Sequence, residues 1–124
     1  MKFLISAAVV GLAAASAFAA TAAEPAAKQS CFWTRDLRNH TVADDHTLYF
    51  DVGGRAVYRV TTSDNCLAGT VSSDPIVLRQ RGASGQICRP LDLDLSVRGA
   101  RCIVSSLTKL TPEEKAALPR KVRP

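Results

Sequence analysis

Four cysteines set against a lean core constrain this sequence more than any other feature. Cys31, Cys66, Cys88 and Cys102 follow an apolar N-terminal segment, and an even number of them suits an oxidising compartment. No two form a CxxC pair, and His40 and His46 are not at zinc-ligand spacing, so two disulfides are expected rather than a metal site. Three connectivities are open. The expected one is nested, Cys66–Cys88 inside Cys31–Cys102, and ties the first element to the last. In the chain-entropy model the inner loop contributes about 3 kcal/mol and the outer about 4 kcal/mol.

Such staples matter because little apolar sequence is left for a core. The chain has 124 residues, room for one domain, and its 47% apolar content is inflated by the N-terminus, where 18 of the first 23 residues are apolar. Met1-Lys2 gives a positive start, and Phe3 to Phe18 is broken only by Ser6, Gly11 and Ser16. Ala17-Phe18-Ala19 and Ala20-Thr21-Ala22 both fit small-x-small cleavage. Residues 1–23 therefore read as a signal peptide, and the run is shorter than the ~20 residues of a membrane span. Lys28-Gln29-Ser30 ahead of Cys31 does not fit a lipidation site. The expected organisation is a leader over 24–30, one disulfide-stapled domain over 31–118 and a basic tail over 119–124. The expected location is periplasmic or secreted, with no transmembrane segment after cleavage.

Short alternating runs dominate the domain. Leu48, Phe50 and Val52 share one face of an alternating run, and Ala56, Tyr58 and Val60 alternate likewise in the next, with Gly53-Gly54 between them. A two-residue loop would set Leu48 opposite Arg59 and mix the faces. A three-residue loop, Gly53 to Arg55, pairs Leu48 with Val60, Phe50 with Tyr58 and Val52 with Ala56, so the sequence predicts that loop with a glycine bulge. Further strands are predicted over 31–37, 75–80, 91–97 and 101–107. Thr111-Pro112-Glu113-Glu114 carries an N-cap, a first-turn proline and a capping-box glutamate, which predicts a helix ended by Pro119. The expected fold is mainly β: a small antiparallel sandwich or partly open barrel of about six short strands with one C-terminal helix.

Motifs that carry chemistry are sparse. There is no Gly-rich phosphate loop, GxSxG elbow or HExxH. Asp44-Asp45-His46 reads as a solvated turn, and Asp92 with Asp94 as the wet face of a strand rather than a carboxylate pair. Trp33 beside Phe32 reads as core. No catalytic, cofactor-binding or metal-binding residue is assigned. Eleven of the 16 basic residues are arginines, and the formal net charge is +5. Arginine favours bidentate contact with phosphate and carboxylate, but no basic stripe with interleaved aromatics points to nucleic acid. Arg120, Lys121 and Arg123, in a tail expected to be mobile, are the candidate anion-binding side chains.

Cys31-Phe32-Trp33 with Arg35, the Asp44-Asp45 to Leu48 run, Tyr58, Cys66, Gln86-Ile87-Cys88, Asp92, Arg101-Cys102, Leu107 and Leu110-Thr111-Pro112-Glu113-Glu114 together resemble the small exported proteins of Gram-negative bacteria grouped as a domain of unknown function. The resemblance spans residues 31–118. It implies export, paired cysteines and a strand-rich domain, and carries no activity. The expected function is a non-enzymatic binding module for anionic cell-envelope components, without a cofactor. The alternative is a proteinaceous inhibitor of an envelope-degrading hydrolase, its contact loops held between Cys66 and Cys88.

Overall fold

The computed structural model describes residues 30–124. The expected signal peptide (1–23) and the leader through residue 29 lie outside the described residues. Strands β1 (Phe32–Trp33), β2 (Leu37–Val42), β3 (Thr47–Val52), β4 (Ala56–Thr62) and β5 (Ile76–Gln80) come first. Then follow β6 (Gln86–Ile87), β7 (Leu93–Val97), β8 (Ala100–Cys102), β9 (Val104–Lys109) and helix α1 (Pro112–Ala117). All pairings are antiparallel. They make a four-stranded sheet (β2-β3-β4-β9), a three-stranded sheet (β5-β7-β8) and a two-stranded ribbon (β1-β6). The mainly β class is as expected, and the sheets do not close into a barrel. A crevice of about 140 Å³ separates β2 from β5, lined by Leu37, His40, Ile76 and Leu78 among others.

The β3–β4 hairpin has the register that parity dictates, with Leu48 opposite Val60, Phe50 opposite Tyr58 and Val52 opposite Ala56. Its loop is three residues long. Gly53 and Gly54 have φ of +64° and +72°, and the Arg55 N–H donates to the Val52 carbonyl at 3.2 Å. Left-handed backbone at two successive positions is why the turn uses glycine.

One face of the hairpin (Leu48, Phe50, Tyr58, Val60) packs on Leu93, Leu95 and Val97 of β7, with Phe32, Leu67 and Ile87 closing the ends. The opposite face carries a second cluster, in which Val57 packs with Leu110, Leu118 and Val122, and Tyr49 sits at its border. The four-stranded sheet is thus covered on both sides, by the three-stranded sheet within and by the C-terminal segment without.

Nine strands appear instead of six because β2 and β6 form outside the expected runs and the run over 101–107 is split in two, while local backbone demands shorten the runs over 31–37 and 91–97. Thr34–Asp36 forms a 3-10 turn inside the run over 31–37. There the Asp36 carbonyl accepts from the Gly53 N–H at 2.7 Å. Pro90–Asp92 forms another across the start of the run over 91–97, so β7 begins at Leu93. Between β8 and β9 the chain changes sheets at Ile103, which is 63% exposed. The Ile103 N–H donates to Asp64 Oδ1 at 3.2 Å and its carbonyl accepts from the Ser63 N–H at 2.9 Å, so neither group is left for a strand partner. Trp33 is not core. It alternates with Phe32 along β1, Phe32 takes the inward face, and Trp33 is left 37% exposed under the Arg35 guanidinium.

The disulfides differ from the nested pairing. Cys31 joins Cys88 and Cys66 joins Cys102, so the two bonds cross in sequence. Strand pairing is the cause. Phe32 lies opposite Ile87 in the ribbon, which brings Cys31 within a Cα–Cα distance of 4.2 Å of Cys88. Cys102 points into the core from β8, at 5.4 Å from Cys66 in the loop after β4.

Helix α1 opens with the expected capping box. The Glu114 N–H donates to Thr111 Oγ1 at 3.2 Å, and the Thr111 N–H donates to Glu114 Oε2 at 2.8 Å. The segment after Pro119 is not the mobile tail expected from its charge. Arg120–Val122 forms a 3-10 turn, Val122 is buried, and its carbonyl accepts from the buried Thr41 hydroxyl.

Candidate functional site

Docking of the C-terminal segment builds a cleft. The turn of the β3–β4 hairpin, the end of β9, α1 and the last two residues surround a volume of about 650 Å³. Buried Val57, Leu110 and Leu118 supply its floor, with Ala56, Pro112, Ala116 and Pro124 on the sides. Arg55, Lys109, Lys115 and Arg123 complete the lining, and no acidic residue contributes to it.

Each cation is placed by a different element. Arg55 closes the hairpin loop, Lys109 ends β9 opposite Tyr58, Lys115 stands on α1 and Arg123 follows the 3-10 turn. Two of them brace the site. Arg123 donates from Nε to the Leu118 carbonyl at 2.8 Å and from Nη2 to the Ala116 carbonyl at 2.9 Å. These are carbonyls at the end of a helix, where a cation suits the exposed C=O dipoles. Lys115 Nζ donates to the Arg55 carbonyl at 3.1 Å. Four like charges around an apolar floor repel one another and attract an anion.

Of the three expected anion-binding residues, only Arg123 lines this cleft. Arg120 and Lys121 are exposed on the turn beside it. Arg55, Lys109 and Lys115 were missed, and no local pattern marks them, since the fold gathers them from segments 55, 109 and 115–123.

The remaining sequence candidates hold structural posts. Asp92 caps the 3-10 turn before β7, its Oδ2 accepting from the N–H groups of Cys88 at 3.1 Å and Arg89 at 2.9 Å. The Cys88 N–H, the Arg89 side chain and the Arg89 N–H hold its carboxyl below the usual range for an aspartate. Asp94 instead faces outward from β7, where it meets Arg101 at 3.1 Å and Arg81 at 3.5 Å. These pairs are solvated and add little stability. Asp44 accepts from the His46 N–H at 2.9 Å in the turn before β3. Among the described residues no group of three His, Cys, Asp or Glu is placed to hold a metal ion. The loop from Cys66 to Cys88 is not closed by a bond of its own, because its ends are tied to Cys102 and Cys31.

Comparison with protein-family models, with curated proteins and with solved structures returns no match.

Proposed function

We propose that this protein is an exported, non-enzymatic binding module for anionic components of the cell envelope, working in the periplasm or outside the cell. The observation that carries this reading is the cleft lined by four cations and no acid. A formal charge of +5 favours approach to anionic surfaces generally, and the cleft gives that attraction one focus. Two disulfides among the described residues suit an oxidising compartment, and no described helix is long and apolar enough to cross a membrane.

Retention on vesicles tests the proposal. The protein should be retained at low salt on vesicles containing phosphatidylglycerol and not on neutral phosphatidylcholine, with retention fading as salt rises. Reversing two cleft charges, Arg55→Glu with Lys109→Glu, should abolish most of that retention while leaving the fold intact. Equal retention on the two vesicle types, or full retention by the double variant, would refute it.

A further inference from the structure

Charge alone would accept any anion, but the walls between these charges are hydrocarbon. We infer that the cleft receives one acyl chain of an anionic lipid, with the headgroup meeting Arg55 and Lys109; the inference rests on the anion-binding proposal and narrows it to a ligand class.

The argument combines volume, wall chemistry and unspent charge. About 650 Å³ lies within the ~300–1,000 Å³ of small-molecule sites. The floor of Val57, Leu110 and Leu118 offers no side-chain hydrogen-bond partner. An inorganic anion seated there would leave that floor wet, and a polyhydroxylated sugar would lose water without compensation. Methylene groups instead gain by leaving water. The cations also divide into two kinds. Arg123 and Lys115 spend donors on backbone carbonyls of the cleft itself. Exposed Arg55 and Lys109 make no side-chain hydrogen bond or ion pair among the described residues. Apolar depth with free cations at an exposed edge is the complement of an anionic amphiphile.

Titration with dodecanoate below its micellar concentration, followed by calorimetry, tests this. Dodecanoate should bind, while dodecyl maltoside and inorganic phosphate should each bind at least tenfold more weakly. Ala116→Trp plugs the cleft from an exposed helix position without changing charge, and should weaken dodecanoate at least tenfold. Lys109→Glu should weaken dodecanoate and leave dodecyl maltoside unchanged. If Ala116→Trp binds dodecanoate as the parent does, the inference falls. If phosphatidylglycerol vesicles retain the protein but dodecanoate does not bind, the inference falls and the broader proposal stands; if neither binds, both fall. A dimer in sedimentation that Ala116→Trp dissociates would also overturn it, assigning the cleft to a second copy of the chain.

Discussion

Val122 gives the most direct test of the docked C-terminus. Val122→Ala removes two methyl carbons from a side chain only 8% exposed. At about 0.8 kcal/mol per buried methylene-sized group the transfer loss is about 1.6 kcal/mol. The site lies at a sheet margin where neighbours can partly collapse, so the cavity adds a few tenths and the expected total is about 2 kcal/mol. Thr41→Val attacks the same contact from the sheet side. It deletes the hydroxyl that donates to the Val122 carbonyl and should cost about 1 kcal/mol. The two effects should not add, because a turn loosened by Val122→Ala no longer presents its carbonyl at a fixed position. Urea unfolding followed by Trp33 fluorescence gives the free energies, and thermal unfolding should show Val122→Ala melting about 8–16 °C below the parent. A loss under about 0.5 kcal/mol, the scale of an exposed substitution, would mean the last residues are solvated tail and would remove one wall of the cleft.

Replacing Cys66 and Cys102 by Ala should destabilise the domain by about 4 kcal/mol, from the chain entropy of a 36-residue separation. A non-reducing peptide map should link Cys31 to Cys88, and a Cys66–Cys88 link would contradict the strand pairing itself. The carboxyl of Asp92 titrates below 3.8 in the folded chain, so its contribution is present above that pH and is lost as pH falls through the folded value. Asp92→Asn should therefore flatten the acid limb of a urea-midpoint profile between pH 5 and pH 2; a profile unchanged from the parent would refute the cap. Gly85→Ala puts a Cβ 3.3 Å from the Trp33 ring at a φ of +75°, and should cost more than about 1 kcal/mol with a shift in Trp33 emission. An unshifted spectrum with unchanged stability would refute that contact.

What could be read in the sequence was what short-range rules decide. The hairpin register followed from parity because a one-residue slip would turn Leu48 and Phe50 outward, and the capping box followed from four adjacent residues. Strand β2 escaped notice because Leu37–Val42 does not alternate. Its Thr41 is buried by the C-terminal turn, 81 residues away in sequence, rather than by its own neighbours. The disulfide pairing was equally non-local, being set by Phe32 finding Ile87. The cationic cleft was legible only as an excess of arginine. Which cations converge depends on where α1 settles, and that is decided by Leu110 and Leu118 packing with Val57 on the hairpin face opposite the main core.

The crossed disulfides bear on how the chain can be made. Each native bond passes over one intervening cysteine: Cys66 stands between Cys31 and Cys88, and Cys88 between Cys66 and Cys102. A chain emerging from its N-terminus into an oxidant offers Cys31 and Cys66 first, and joining those two gives a bond that the finished protein does not contain. Correct oxidation must then wait until β1 has met β6, or must proceed by thiolate attack on the early bond once Cys88 arrives. A cross-link that ultimately stabilises the domain is thus a hazard during synthesis, and the yield of native protein depends on the order of strand pairing and oxidation.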